Sequence, residues 1–254
     1  MKTKSWKLIV SAVVLIVGLV LVLMTRSAAI AEDAAKNSQM LFSGSLILTL
    51  LGLVGVVASV LPAPKPVKLR TLTTAAMFAA LCYIGFAFFR IDIPVGTEKT
   101  AFHLGNVFCV LSALFLGGLW GGMSGAVGMT IADLTSGYVT SAPKTFLLKL
   151  CIGLIVGLFA KKIFHLDRDN KTKTGLTVAT VLSCLAGMAF NVVADPVVGY
   201  FYKMYVLGVP QEMASIWAKM GAVTTLVNAI ISVIAASVFF LALRPAVRRS
   251  GLNK

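Results

Sequence analysis

The chain has 254 residues, 58% of them hydrophobic and only 13% charged, with a mean hydropathy of +0.93. A soluble domain carries roughly 25% charged residues, so a water-soluble globule is excluded and the bilayer is the solvent that fits. The formal net charge of +14 would point to nucleic acid in a soluble protein; in a membrane protein it marks cytoplasmic loops.

A spanning helix needs about 20 apolar residues, because the hydrocarbon core is about 30 Å thick and a helix rises about 1.5 Å per residue. Eight apolar runs predict helices near 6–24, 41–61, 71–89, 104–118, 119–136, 143–162, 175–201 and 214–243. Barrel strands would alternate polar and apolar residues over about 10 positions, and these runs do not. The expected fold class is therefore all-α, a polytopic membrane helix bundle.

The first run follows MKTKSWK and ends near Ala29-Ile30-Ala31. It reads as a helix, and the same stretch has the form of a signal peptide with an A-x-A cleavage site. After the second run, Pro62, Pro64 and Pro66 cannot continue a helix. They mark a cytoplasmic linker (62–70) between a two-helix N-terminal unit (1–61) and a six-helix core (71–246). A basic tail (247–254) follows. Within the core, the fourth and fifth runs are short and meet at GGLWGG (117–122), as a tight helical hairpin or a partly re-entrant segment. The polar stretch KKIFHLDRDNKTKTG (161–175) is a further cytoplasmic loop.

Basic residues alternate with this order. Fifteen of the 23 Lys and Arg fall in the N-terminus, the proline linker, the 161–175 loop and the C-terminal stretch from Arg244 onward, against six in the intervening loops. The positive-inside rule then places both termini in the cytoplasm of a multi-pass protein of the cell membrane.

Three patterns stand out. Gly117, Gly121 and Gly125, flanked by Gly118 and Gly122, recur every four residues and read as close helix packing. Ala75 and Ala79, beside Ala76 and Ala80, make a small face in TLTTAAMFAAL, which suits packing or docking to another membrane subunit. The third pattern is a set of polar residues in the outer halves of apolar helices: Asp133, Lys149, Asn191, Asp195, Lys219 and Asn228, with Lys144 nearby. Intramembrane ionisable groups usually face a partner or a watery cavity. These residues are the candidate substrate contacts, and an Asp133–Lys149 scaffold pair is the alternative for two of them. Tyr138, Tyr200, Tyr202, Tyr205 and Trp217 lie at the same level, as interface aromatics or as cover for a flat ligand.

Cys82, Cys109, Cys151 and Cys184 sit within apolar runs as small hydrophobes. No metal-ligand spacing, phosphate loop, G-x-S-x-G or H-E-x-x-H string is present, so no enzyme, metal site or cofactor is expected.

The strings FHLGNVFCVLSALFLGG (102–118), GGMSGAVGMTIADLTSGY (121–138) and APKTFLLKLCIGLIVGL (142–158) resemble the six-helix S components of energy-coupling factor (ECF) transporters, most closely the riboflavin-transporter-like group. The resemblance covers about residues 68–246. It implies a substrate-specificity subunit that captures a water-soluble vitamin at the outer face. It also implies association with a transmembrane coupling subunit, met by Ala75 and Ala79, and with two cytoplasmic ATPases. The N-terminal helix pair is extra to the family's six. Riboflavin leads on the group resemblance; hydroxymethylpyrimidine, pyridoxine and pantothenate stay open. The competing readings are a stand-alone secondary transporter of a small polar solute, in which Asp133 and Asp195 serve a coupling ion, and a structural membrane protein with no need of the polar set.

Overall fold

The computed structural model describes residues 2–30, 45, 48, 68–96, 98–168 and 171–249. The chain forms two compact units, one from residues 1–67 with 200–215 and one from 68–199 with 216–254. Of the first unit, helix α1 (Lys2–Ile30) is described. Ile9, Val13, Ile16 and Val20 are exposed on it and Val22 is buried. Within that unit, α1 packs on the π-helical turn Tyr202–Val206. The expected helix at 41–61 lies almost wholly outside the described residues.

The second unit is a helix bundle with one β-hairpin. Its elements are α2 (Leu69–Ala87), β1 (Arg90–Val95), β2 (Glu98–His103), α3 (Gly105–Leu116), α4 (Gly118–Thr135) and α5 (Ala142–Gly157), which runs on into a π turn at Leu158–Ile163. Helices α6 (Lys173–Phe201) and α7 (Gln211–Arg249) complete it, apart from their ends between 200 and 215. Among the described residues, Leu69–Ala87, Lys173–Val206 and Gln211–Val247 are long and apolar enough to cross a membrane. Leu182, Leu185 and Val193 on α6, and Ile230, Ile234 and Val238 on α7, are exposed. That is the pattern of a lipid-facing surface, where the helix satisfies its own backbone and apolar side chains meet the acyl chains. Helix α3 has 12 residues and rises about 18 Å, short of the hydrocarbon thickness. It turns into α4 at Gly117, whose φ of 83° suits glycine.

Helix α4 is the packing centre, with α2, α3 and α5 against it. A Cβ built on Gly121 would lie 2.3 Å from Ala113 Cα, one on Gly128 2.1 Å from the Ala79 carbonyl oxygen, and one on Gly153 2.1 Å from Gly122 Cα. A Cβ on Gly157 would lie 2.0 Å from the Gly118 nitrogen. The glycine spacing therefore serves backbone-to-backbone packing, as the sequence suggests. Cys82, Val107, Cys109, Val110, Leu114, Met129, Ile152 and Met188 fill the core between these contacts. All four cysteines are free; Cys82, Cys109 and Cys184 are buried and Cys151 half-buried.

The expected alanine surface needs correction. Ala75 is 7% exposed and the Ala79 backbone faces Gly128 of α4, because α2 needs its small residues where it crosses the glycine-rich helix. Ala76 and Ala80 are the exposed pair.

The hairpin is not expected from the all-α reading. Arg90 pairs with His103 and Val95 with Glu98 in an antiparallel ladder that turns at Gly96, φ 63°. Two sets of bonds hold it. On the α7 side, Trp217 Nε1 donates to the Val95 carbonyl (3.0 Å) and Thr100 and Thr224 share a hydroxyl bond (2.8 Å). Asn228 Oδ1 accepts from the His103 amide and its Nδ2 donates to the Ala101 carbonyl, both at 3.0 Å. On the side of the loop after α4, Asp92 accepts from the Tyr138 hydroxyl (2.8 Å) and pairs with Arg90 (3.0 Å) and Lys99 (3.3 Å). Lys99 also donates to the Ser136 carbonyl at 3.1 Å and lies 4.6 Å from the Tyr138 ring centre. Burial alone would raise the Asp92 pKa. The Tyr138 hydrogen bond and the Arg90 and Lys99 charges outweigh it and hold the carboxyl below its ordinary 3.8. At the opposite end of the bundle, Arg244 Nη2 donates to the carbonyls of Leu166 (3.0 Å) and Arg168 (3.2 Å), and Lys161 pairs with Asp167.

Two expectations follow. Gly153→Ala sets a methyl group against backbone that cannot yield, and should destabilise the chain by about 1–3 kcal/mol. Gly221→Ala has nothing within 4 Å and should be neutral or stabilising by up to about 1 kcal/mol. Melting temperatures of the two variants in detergent check this, and equal values would contradict the packing argument. For the hairpin, a depressed carboxylate pKa contributes stability above the unfolded value that is lost as pH falls through the folded one. In a chain with Trp6 and Trp120 replaced by Phe, Trp217 emission should shift as pH drops below about 3.8, and Asp92→Asn should show the shifted spectrum at pH 7. Identical spectra for the two chains at pH 7 would remove Asp92 from the latch.

Candidate functional site

Four of the six expected polar residues gather at the hairpin end of the bundle, inside its wall. Asp133 closes α4 at 3% exposure, Lys149 lies on the second turn of α5 at 7%, and Asn191 on α6 at 1%. Asp195 stands one turn beyond Asn191. Helices α5 and α6 run antiparallel in tight register: a Cβ on Gly187 would meet Val156 at 2.3 Å and the Ile152 carbonyl at 3.2 Å. One turn toward the hairpin from Ile152 on α5 is Lys149, and one turn from Gly187 on α6 is Asn191. One turn further, Lys144 Nζ donates to Asp195 Oδ1 at 2.8 Å. Thr225 of α7 donates to Asp195 Oδ2, also at 2.8 Å. Both oxygens of Asp195 are therefore engaged, and the residue ties α5, α6 and α7 together.

The ion pair that forms is Lys144–Asp195, and none joins Asp133 to Lys149 among the described residues. Lys144 starts α5 and points along α6, also meeting Gly199 there, so it takes the carboxylate one turn from Asn191. Asp133 has Thr145 of α5 beside it, while its Oδ2 has no hydrogen-bond partner. Asn228 is buried, and the hairpin backbone uses its amide on both sides. Lys219 is exposed on α7 and does not join the cluster.

Several buried atoms here have no hydrogen-bond partner among the described residues. They are Asp133 Oδ2 and Thr130 Oγ1 on α4, Asn191 Oδ1 on α6, Asn106 Oδ1 on α3 and His103 Nδ1 at the end of β2. A buried polar atom left unsatisfied costs about 1–3 kcal/mol, and most such atoms in native proteins find partners. These atoms come from α3, α4, α6 and β2, at the hairpin end of the bundle. Lys149 adds a buried ammonium within electrostatic reach of Asp133, Asp195 and His103. The orphan oxygens of Asp133, Asn191 and Asn106 accept hydrogen bonds, while Lys149 donates. Such a set matches a polar ring that presents N–H or hydroxyl groups beside carbonyls.

Aromatic side chains close the hairpin end. The Phe86 ring lies 4.7 Å from His103 and 5.6 Å from Tyr138, centre to centre. Tyr138 and Trp217 are thus bonded to the hairpin through Asp92 and Val95. His103, Asn106, Thr130 and Thr225 were not among the expected site residues. His103 and Asn106 frame the HLGN string, and Thr225 stands one turn before Asn228 on α7. For Asn106, a polar residue at the mouth of an otherwise apolar helix was the available signal.

The family described as "ECF-type riboflavin transporter, S component" matches residues 67–245. That span takes in the whole of the hairpin, all five helices of the cluster and α2. A curated protein of Pyrococcus woesei, described as an "Uncharacterized protein in gap 3'region", is 35% identical over 71 residues, 28% of this chain and 47% of that protein. The chain thus spans about half the length of the curated relative it matches. No solved structure matches. The family is one of transport components and not of enzymes. With its apolar helices and its match across the entire core, the chain belongs to the S components of ECF-type riboflavin transporters.

Proposed function

We propose that this chain is the substrate-specificity subunit of an ATP-driven importer and captures riboflavin, or a closely related water-soluble micronutrient, at the outer face of the cell membrane. The family match over residues 67–245 supports the reading, and the observation that carries it is the set of orphan polar atoms at the hairpin end of the bundle. A vitamin with ring nitrogens, carbonyls and hydroxyls must leave water, and a buried site must match each group with a partner. In this reading Asp133, Lys149 and Asn191 touch the ligand. Asp195 and Asn228 hold the frame, and Lys219 stands at the rim.

The hairpin end faces outward and the opposite end, with Lys161, Lys162, Arg168 and Arg244, faces the cytoplasm, as the positive-inside rule requires. In this reading the motor is supplied by two separate ATPase subunits and a transmembrane coupling subunit, as the resemblance to the family implies. The exposed Ala76 and Ala80 of α2 offer that coupling subunit a surface on which two helix backbones approach closely.

Flavin titration of the purified chain tests the reading. Riboflavin should bind one to one, and Lys149→Ala and Asn191→Ala should each weaken binding about 5- to 150-fold, while Lys219→Ala stays within about twofold. If neither of the first two substitutions changes affinity, the ligand site lies elsewhere. For the partner surface, Ala76→Trp with Ala80→Trp should abolish co-purification of the ATPase subunits while riboflavin binding by the isolated chain survives. Retained co-purification would move the docking face off α2.

A further inference from the structure

The hairpin contributes one side chain to the cluster that no other role explains. His103 is the last residue of β2, and its ring packs on Phe86 at 4.7 Å. Its backbone amide is bonded to Asn228 of α7. The same Asn228 amide also holds Ala101, two residues back on the strand. One side chain thus grips β2 at two points flanking Phe102 and fixes where the strand delivers the imidazole. Arg90, opposite His103 in the ladder, is engaged by Asp92. Among the described residues no hydrogen bond reaches the buried His103 Nδ1. The Lys149 and Asp195 charges both act on the ring, which places it beside the buried cluster on the side the hairpin covers.

This geometry has two parts of different kind. Asn228 spends its amide on the strand, so it has little left for a ligand, although it lies level with the cluster. His103 spends its backbone on Asn228 and keeps its ring nitrogen free. A structural histidine in an apolar setting would have that nitrogen bonded to a carbonyl or hydroxyl. Here the neighbours on α7 and on β2 are already paired with one another, as Thr224 is with Thr100.

We propose that His103 is a specificity-determining contact to the bound vitamin, exchanging a hydrogen bond through Nδ1 with a polar edge of the ligand. Asn228 is the positioning residue that aims it. The inference rests on the reading of the polar cluster as a riboflavin site and adds to it that part of the recognition is carried on the hairpin and not on the helices. Because Nδ1 is sealed until the ligand enters, hairpin placement and ligand affinity are coupled through this one residue.

The test uses the full chain, riboflavin as the probe, and equilibrium titration beside the melting temperature of the ligand-free protein. His103→Ala should weaken binding about 5- to 150-fold, and the loss of ring packing on Phe86 is read separately in the ligand-free melting temperature. His103→Asn places an amide near the Nδ1 position and should recover most of that loss. His103→Leu keeps the packing on Phe86 and should bind as weakly as His103→Ala, which it replaces if the smaller side chain fails to fold. Asn228→Ala should weaken binding in the wild-type background and add little in the His103→Ala background, because it acts through the imidazole. Unchanged affinity in His103→Ala and His103→Leu would overturn the proposal. So would equal weakening in His103→Asn and His103→Ala, or additive losses for His103 and Asn228. A wild-type chain that binds no riboflavin would overturn the functional reading itself, whereas a wild type that binds beside indifferent His103 variants would overturn this inference alone.

Discussion

Helix α4 meets three neighbours at distances that leave no room for a Cβ. Its glycines touch Ala113 of α3, the Ala79 carbonyl of α2 and the glycines of α5, and those contacts set the three helices around it. Within lipid, helices gain little from burying apolar surface against one another, so association depends on close packing. Backbones that touch lock the helices in register as well as in distance. The register of α5 on α4, and of α6 on α5 through Gly187, sets Asp133, Lys149 and Asn191 at one end of the bundle. A slide of one residue along either contact would turn these side chains toward lipid, where a charge is costly.

A rigid frame allows polar atoms to be held apart from partners. Asp195 shows what the bundle does when a group is structural, since Lys144 and Thr225 occupy both of its oxygens. Asn228 is likewise used on both sides by the hairpin. Among the described residues, Asp133, Asn191, Asn106 and His103 differ, each keeping one buried side-chain atom without a hydrogen-bond partner. In the proposed reading, a bound ligand supplies the partners these atoms lack.

Much of this was legible in the sequence, for physical reasons that differ from residue to residue. Continuous apolar runs expose membrane helices because lipid tolerates nothing else, and the six core segments appear within a few residues of their expected places. The four-residue glycine spacing revealed the packing centre, since no other residue permits that approach. Asp133, Lys149 and Asn191 stood out because a polar group in an apolar helix is expensive. Their partners were not legible, because the register between α5 and α6 decides them, and so Lys144 rather than Asp133 or Lys149 forms the ion pair. The helical period left the orientation of α2 open by one residue, and the packing on Gly128 turned Ala75 inward and Ala76 outward. The hairpin escaped notice because Pro94 and the charged residues Arg90, Asp92, Glu98 and Lys99 break the apolar alternation that marks a strand. The three helices among the described residues that are long enough to cross a membrane are fewer than the eight runs the sequence suggests, and α3 with its 12 residues shows how a short apolar run can be a buried helix instead.

The central claim is that the orphan polar atoms at the hairpin end are the recognition surface for the vitamin. An experimental structure of the full chain with riboflavin bound tests it most directly. The account predicts the ligand between the hairpin and α4, α5 and α6, with hydrogen bonds to Asp133 Oδ2, Asn191 Oδ1 and the Lys149 ammonium. Riboflavin bound elsewhere on the chain, with those three groups still without a ligand contact, would contradict it.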